Sequence, residues 1–212
     1  MKIKNKKQAL NLIEPSYLAS LSSLIWIALY YLPVGGALLR LTLPLPLVIL
    51  QLRRGTKVAL EGIIIQLLLL IILMGPIRGP LFLFPYGLLS FWLGWTWIKE
   101  KNWWYSWSLG IIIGTIGFFV RVFALSILVG ENLWIVITRA SYGLIDKLFS
   151  VFNISIFPSL LTVQIVAVLL IIFQELVYVL TIHIIAYAVF PRLKSKIPEP
   201  PHILNGFVDL NL

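Results

Sequence analysis

The sequence predicts an all-α integral membrane protein with about six transmembrane helices. Of its 212 residues, 60% are hydrophobic and only 12% are charged, and the mean hydropathy is +0.98. A soluble domain is close to half apolar and about a quarter charged. Apolar stretches about one bilayer long are separated by short polar or Gly/Pro turns, and Lys and Arg concentrate in alternate loops. We therefore expect one membrane domain, residues 16–191, between a basic N-terminal segment, 1–15, and a proline-rich tail, 192–212.

Six apolar stretches are long enough to be the predicted spans. Pro15 and Ser16 have the pattern of a helix start and open the first of them. The sixth is too long for a straight span at 1.5 Å per residue, so it tilts or extends past the bilayer until Pro191 ends it. Between the fifth and sixth spans, residues 130–157 contain an amphipathic segment that is expected to lie at the membrane interface or to re-enter. The predicted spans are 16–32, 34–52, 58–74, 81–98, 107–129 and 159–190.

The second span contains residues that lipid rejects. Arg40 lies inside an apolar run, and a cation in hydrocarbon costs roughly 3 kcal/mol on insertion scales. Pro44 and Pro46 each remove a backbone donor and disfavour the α conformation in the residue before them. Membrane proteins keep such a segment where other helices or a watery cavity satisfy the freed groups. We expect this helix to break at Pro44 and Pro46, near mid-membrane, where discontinuous helices open binding sites.

The distribution of cations predicts that both termini are cytoplasmic. Four Lys lie in the N-terminal segment, three cations follow the second span, two follow the fourth, and three lie in the tail. The opposite loops hold three, and Arg40 and Arg121 lie within spans. Because cytoplasmic loops carry the excess of Lys and Arg, this asymmetry sets the orientation. Glu61, early in the third span, is close enough in sequence to the cations after the second span for an interfacial ion pair: Arg53, Arg54 and Lys57.

Arg40, Arg121 and Gln164 are the candidate solute-binding residues. All three residues fall in the outer half of their spans, and the two arginines, joined by Gln164, could line one outward-facing cavity that binds a carboxylate or phosphate. The alternative is that each arginine extends to outer headgroups or pairs with a helix end. Glu175 and His183, two turns apart on the sixth span, suggest either a proton relay or interhelical hydrogen bonding.

Small residues at helical spacing predict two close-packing faces. Such faces let helices approach each other closely in lipid. On the first span the face could contact a neighbouring span or dock onto a partner protein, and on the fifth span it suits internal packing. The first face pairs Ser16 with Ser20 and Ala19 with Ser23, and the second contains Gly110, Gly114 and Gly117.

Several chemical classes lack their sequence signals. The chain has no cysteine and only two histidines, so a cysteine or histidine metal site is not expected. It contains no Walker A loop and no HExxH motif. We expect a protein that is not an enzyme and has no cofactor.

The runs LRLTLPLPLVILQLRRGTKVALEG and GPIRGPLFLFPYGLLSFWLGW, followed by a glycine-rich fifth span, resemble a known family. The pattern, over residues 16–129, resembles the YybS-like membrane proteins, which are similar to the substrate-binding S components of energy-coupling factor (ECF) vitamin transporters. The resemblance implies six helices, cytoplasmic termini and an outward-facing site. It also implies docking through small residues of the first helix, here Ser16, Ala19, Ser20 and Ser23.

Three functional hypotheses follow. In the first, the protein captures a small polar or anionic, vitamin-like solute from outside for an ECF-type ABC transporter, whose membrane scaffold and ATPases are separate subunits. In the second, it is an accessory or assembly subunit of a larger membrane complex, such as a photosynthetic one. A third, proton-coupled transport through Glu175, is weaker. The membrane would be the bacterial inner membrane or the thylakoid membrane, and no nucleic-acid partner is expected.

Overall fold

The computed structural model describes residues 2–32, 35–151, 158–195 and 197–201, and within these ranges the chain is helical with no strand. The helices alternate with short turns and include two single-turn 3-10 helices. Their bounds are α1 Lys2–Tyr31, α2 Gly36–Thr42, α3 Leu45–Arg54, α4 Thr56–Met74, a 3-10 helix Pro80–Leu83, α5 Tyr86–Ile98, α6 Trp103–Val129, α7 Leu133–Val151, α8 Leu160–Val189 and a 3-10 helix Pro191–Leu193.

Six helical stretches in the described ranges are long and apolar enough to cross a membrane, which confirms the predicted fold class. The second stretch combines α2 and α3, and the fourth combines the 3-10 helix at Pro80–Leu83 with α5. At 30 residues, α8 is about 45 Å long, whereas the hydrocarbon core is about 30 Å thick. The six stretches are Leu12–Tyr31, Gly36–Arg54, Thr56–Met74, Pro80–Ile98, Trp103–Val129 and Leu160–Val189.

The helices form one bundle in which each spanning stretch contacts two or more others. The first helix packs along α4, and α3 lies between α4 and α5. On the other side, α6 packs against α5 and α8, and α7 covers α6 and α8. Two buried apolar clusters fill the interior, one around Trp26, Leu47 and Phe82 and the other around Leu93 and Ile182. This order places α2, α5, α6 and α8 around a common region, where the candidate site lies.

The predicted start of the first helix at Pro15 and Ser16 is wrong, because α1 passes through Pro15 without a break. A proline inside a helix costs roughly 3 kcal/mol, since it removes a hydrogen bond and clashes with the preceding turn. Tertiary contacts at this level offset that cost. Pro15 is buried, and the neighbouring Glu14 accepts two hydrogen bonds from Arg54, at 2.7 and 2.8 Å. Such bidentate, charge-assisted pairs are among the stronger polar contacts in proteins.

The predicted ion pair of Glu61 with Arg53, Arg54 or Lys57 is not formed among the described residues. Arg54 pairs with Glu14 of α1, while Glu61 is exposed on α4. Glu14 reaches Arg54 because α1 packs against both α3 and α4. The partner is distant in sequence, so spacing along one helix did not reveal it.

Capping residues and prolines set the ends of the last helices. The side chain of Asn102 accepts a hydrogen bond from the Trp104 amide and caps α6, so this helix starts four residues earlier than position 107. Ser159 caps α8 by accepting from the Thr162 amide, and the helix ends before Pro191, as predicted. Side-chain oxygens at such positions satisfy amides that have no partner within the helix.

Glycines of α6 allow its neighbours to approach closely, as predicted. Gly110, Gly114 and Gly117 are all buried on one face. A Cβ on Gly110 would lie 2.9 Å from a methyl of Val179, and one on Gly117 would lie 2.7 Å from the Cα of Pro85. These contacts leave no room for a side chain, so α6 presses directly against α8 and the start of α5.

Segments that were predicted to share one side of the membrane meet at one end of the bundle, here called the basic end. Besides the Glu14–Arg54 pair, Arg53 donates to the Leu193 carbonyl at 2.6 Å, and the Trp103 indole donates to the Pro198 carbonyl at 2.8 Å. The α3–α4 turn, the α5–α6 loop and the described part of the tail are therefore neighbours. That this end is cytoplasmic stays a prediction, as does the interfacial position of α7.

Candidate functional site

The predicted break in the second span is present, and side chains of other helices bond to two backbone carbonyls beside it. The helix ends at Thr42 and restarts at Leu45. Leu43 nevertheless keeps α-helical angles, φ −57° and ψ −45°, which differs from the extended conformation expected before Pro44. The carbonyl of Arg40 would bond to the amide at position 44, where proline has none. It accepts instead from the Tyr178 hydroxyl of α8, at 2.9 Å.

A second polar contact holds the other side of the break. The Ser22 hydroxyl of α1 donates to the Leu43 carbonyl at 2.9 Å, and Ser22 Oγ in turn accepts from Gln66 Nε2 of α4 at 2.9 Å. Ser22, Leu43 and Gln66 are all fully buried. Side chains of α1, α4 and α8 thus support the break, in keeping with the need to satisfy freed backbone groups inside a membrane.

A cavity of about 210 Å³, here called the arginine cavity, lies beside this break. Each surrounding helix contributes to its wall: α2 supplies Arg40, the start of α5 supplies Tyr86, α6 supplies Arg121, and α8 supplies Glu175. Apolar groups complete the lining. The full lining is Arg40, Pro85, Tyr86, Phe118, Arg121, Val122, Leu125, Gln174 and Glu175.

The guanidinium of Arg121 is held by aromatic rings rather than by a carboxylate. Its central carbon lies 5.3 Å from the centre of the Trp26 ring and 5.8 Å from that of Tyr86, within the range of cation–π attraction. Two tyrosine hydroxyls lie at 3.4 and 3.5 Å, from Tyr86 and Tyr30, which is long for a hydrogen bond. Within the described residues Arg121 has no carboxylate partner. The N–H donors of Arg121 are therefore held in place but make only long hydrogen bonds within the protein.

Glu175 faces the arginines across the same cavity. Its side chain is buried, and Oε2 has no hydrogen-bond partner in the described part of the chain. The carboxyl packs against Gly114, where a Cβ would contact Oε2 and would lie 3.0 Å from Cδ. The absence of a side chain at Gly114 thus makes the space that the Glu175 carboxyl occupies. The arrangement places two guanidinium groups and one carboxyl group around a small cavity that is partly open.

The remaining predicted site residues, Gln164 and the four small residues of α1, do not line the arginine cavity. Gln164 does not line the arginine cavity and lies with Trp134 in a separate apolar groove between α7 and α8. On α1, Ser16 and Ser20 are exposed. Ala19 and Ser23 are buried inside the bundle. The four small residues therefore divide into an exposed pair and a buried pair on neighbouring strips of one helix, because residues three apart are adjacent on a helix surface and the edge of the packed face runs between the two pairs.

His183 belongs to another polar group, on the same face of α8 but away from the cavity lining. Its Nδ1 bonds to the Val179 carbonyl at 2.8 Å, and its Nε2 lies 2.9 Å from the Ser106 hydroxyl. A carbonyl only accepts, so Nδ1 carries the proton and Ser106 donates to Nε2. Thr96 lies 3.1 Å from Ser106 and extends the group into α5. Nδ1 therefore bonds within α8, and Nε2 makes an interhelical hydrogen bond to α6.

Tyr86 and Tyr178 are the residues at the site that sequence reasoning missed. Tyr86 contacts the Arg121 guanidinium, and Tyr178 satisfies the carbonyl at the break. Tyr86 follows Pro85 at a helix start, and that Pro-Tyr pair inside an apolar stretch was the available signal. Tyr178 carried no local signal, because its role depends on a carbonyl 138 residues away.

Fold and site together define a polytopic α-helical membrane protein with a polar cavity inside its helix bundle. The family described as "Predicted membrane protein (DUF2232)" matches residues 20–205, and the chain belongs to that family. The match agrees with the expected membership of a membrane-protein family. No curated protein and no solved structure matches the chain.

Proposed function

We propose that the protein captures a small polar or anionic solute in the arginine cavity, as the S components of ECF transporters do, and that it is not itself an enzyme. One observation carries the proposal. The half-buried Arg121 guanidinium packs against Trp26 and Tyr86 without a carboxylate partner among the described residues. A charge that is partly removed from water is costly unless it is paired. A solute carboxylate or phosphate would be the partner that this guanidinium lacks, in bidentate geometry.

The carboxyl group of Glu175 indicates which chemical groups the solute carries. Two guanidinium groups and one carboxyl group line the cavity, so one positive charge remains if the carboxyl is ionised. Glu175 Oε2 has no partner in the described residues. A solute that carries an anionic group and also a donor, such as a hydroxyl, an amide or an ammonium group, would satisfy both sides. This pattern favours an amino-acid-like or hydroxy-acid-like solute over a simple inorganic anion.

The size of the cavity limits the solute further. Its volume of about 210 Å³ is below the roughly 300–1,000 Å³ typical of sites for drug-sized ligands. A small carboxylic acid fits this volume. A vitamin-sized solute requires the walls to separate, and the residues of the lining that are exposed are Arg40 and Gln174.

Binding measurements on the purified protein in nanodiscs test the proposal. A panel of amino acids, small hydroxy acids and vitamins is screened by thermal stabilisation, and hits are measured by calorimetry. We expect Arg121→Gln and Arg40→Gln each to weaken binding by about 10-fold or more, the value of a charge-assisted hydrogen bond. Arg139→Gln, at an exposed position on α7, is the matched control. Binding that is unchanged in both cavity variants would refute the site.

Glu175→Gln then identifies the class of solute. For a purely anionic solute, removing the carboxylate strengthens binding, because a like charge is lost from the cavity. For a solute with an ammonium group, the same change weakens binding. An unchanged affinity would show that the carboxyl does not contact the solute.

Delivery to an ECF-type transporter needs a docking surface, and the exposed pair on α1 is the candidate. Ser16 and Ser20 are exposed, whereas Ala19 and Ser23 are buried in the bundle. We expect Ser16→Leu with Ser20→Leu to reduce co-purification of a membrane scaffold and ATPases from native membranes, with Tyr142→Leu, exposed on α7, as control. Exclusive recovery with an unrelated large complex would instead support the accessory-subunit hypothesis.

A further inference from the structure

A second pocket opens at the basic end of the bundle, away from the arginine cavity. Its volume is about 750 Å³, which lies within the range typical of ligand sites. The α3–α4 turn, the α5–α6 loop and the tail contribute to it. The lining residues are Glu14, Leu52, Arg53, Arg54, Trp97, Ile98, Glu100, Leu193, Lys194 and Ser195.

The charges of this pocket leave a net positive charge after internal pairing. Arg54 and Glu14 neutralise each other through their bidentate contact. Arg53, Lys194 and Glu100 remain, which gives one net positive charge. Arg53 uses one nitrogen on the Leu193 carbonyl, which holds the tail residue Lys194 at the rim. The complementary ligand group therefore carries about one negative charge.

Two buried donors beside the pocket have no acceptor. Ser195 is 5% exposed and Trp97 is 2% exposed, and both line the pocket. Neither Ser195 Oγ nor Trp97 Nε1 has a hydrogen-bond partner in the described part of the chain. An unsatisfied buried donor is unfavourable and rare in folded proteins. A serine hydroxyl turns about a single bond, so Ser195 can donate to a group that enters the pocket.

We propose that this pocket binds a phosphate group, either the phosphodiester of an anionic phospholipid or a free phosphate. A phosphodiester carries one negative charge and offers only acceptor oxygens, which matches one net positive charge and the unused donors. Basic pockets between transmembrane helices recognise phospholipid headgroups by this chemistry. Arg53 and Lys194 supply the charge, and the Ser195 hydroxyl supplies a neutral donor. The site is independent of the solute cavity, because the two pockets share no residue.

Lys194→Gly is the principal test, because it removes the cation without harming the backbone. Lys194 has a positive φ of 59°, a conformation that glycine adopts more readily than lysine. We expect stability to be equal or higher and phosphate-group affinity to fall at least about fivefold, the contribution of one cation to phosphate-group binding. Ser195→Ala should also weaken binding without loss of stability, since its hydroxyl has no partner to lose. Lys57→Gln, exposed at the same end but outside the lining, is the control.

Two measurements distinguish the source of the phosphate. For the first, wild type and Lys194→Gly are each placed in phosphatidylcholine nanodiscs that also contain phosphatidylglycerol. After transfer from the nanodiscs, native mass spectrometry compares how much phosphatidylglycerol each protein retains. The second titrates inorganic phosphate into the full chain in detergent by calorimetry. A variant-sensitive signal in the first assigns a lipid, and one in the second assigns a soluble phosphate. Absence of both signals, or an equal loss in Lys57→Gln, overturns the proposal.

Discussion

Replacing Ser22 with alanine should destabilise the bundle more than any other single loss of a hydroxyl from α1. Ser22 donates to the Leu43 carbonyl at the helix break and accepts from Gln66 Nε2, both at 2.9 Å. Ser22→Ala therefore leaves one carbonyl and one amide donor buried and unpaired. Each such group costs about 1–3 kcal/mol in proteins generally, while interhelical hydrogen bonds in membranes average about 0.6 kcal/mol. We expect a loss of about 2 kcal/mol.

Gln66→Leu provides the internal comparison. The Oε1 atom of Gln66 already lacks a partner in the described residues, so a leucine removes one unsatisfied acceptor along with one hydrogen bond. The Ser22 contact to Leu43 survives. Since replacing a partly satisfied buried polar group by an apolar one is often nearly neutral, we expect a change within about 0.5 kcal/mol. The double variant should cost less than Ser22→Ala alone, because the stranded amide is absent.

Reversible unfolding in mixed micelles of dodecyl maltoside and SDS measures these free energies. Ser20→Ala, at an exposed position on the same helix, is the matched control and should change stability little. If Ser22→Ala costs no more than Ser20→Ala, the break is not supported by this hydrogen bond. A Gln66→Leu variant as unstable as Ser22→Ala would likewise contradict the reasoning, since it would place the energy in the glutamine rather than in the carbonyl at the break.

Three further substitutions test how the cavity is built. Gly117→Ala forces a Cβ to 2.7 Å from the backbone of Pro85, and we expect a loss of about 1–3 kcal/mol in the same unfolding assay. In Gly114→Ala the new Cβ meets only the end of the Glu175 side chain, so the loss of stability should be smaller than in Gly117→Ala, while solute affinity measured by calorimetry should fall. A larger loss of stability in Gly114→Ala than in Gly117→Ala would contradict this packing. Tyr178→Phe strands the carbonyl freed by the break, and we expect a loss of about 1 kcal/mol; an unchanged unfolding free energy would show that lipid headgroups or water replace the hydroxyl.

The spans were predictable because their signals are local. About 20 consecutive apolar residues bury their own backbone hydrogen bonds in a helix, so composition alone predicts a span. Pro44 has no amide to donate, and the break at that residue followed directly. Ser159 and Pro191 mark the two ends of α8 for similarly local reasons. The start of α1 was mispredicted by the same logic, because the contacts that carry the helix through Pro15 come from α3 and α4.

The candidate site was predicted only in part. Arg40 and Arg121 were recognised as charges within apolar spans, and they line one cavity. Gln164 belonged to the same predicted depth but lies in another groove. Depth along a helix can be counted from sequence, whereas rotation about the helix axis is set by packing against neighbours. A residue at the right depth can therefore face a different partner.

The sequence by itself determined the class of protein, the number of spans, the broken helix and the concentration of cations at one end of the bundle. These properties depend on residue hydropathy and on proline chemistry, which act within one helical segment. Only the tertiary structure decided that Glu14 pairs with Arg54, that the Tyr178 hydroxyl bonds to the carbonyl freed at the break, and that Ala19 and Ser23 face inward. Each of these joins segments far apart in the chain, and the energy that selects it exists only once the helices have packed.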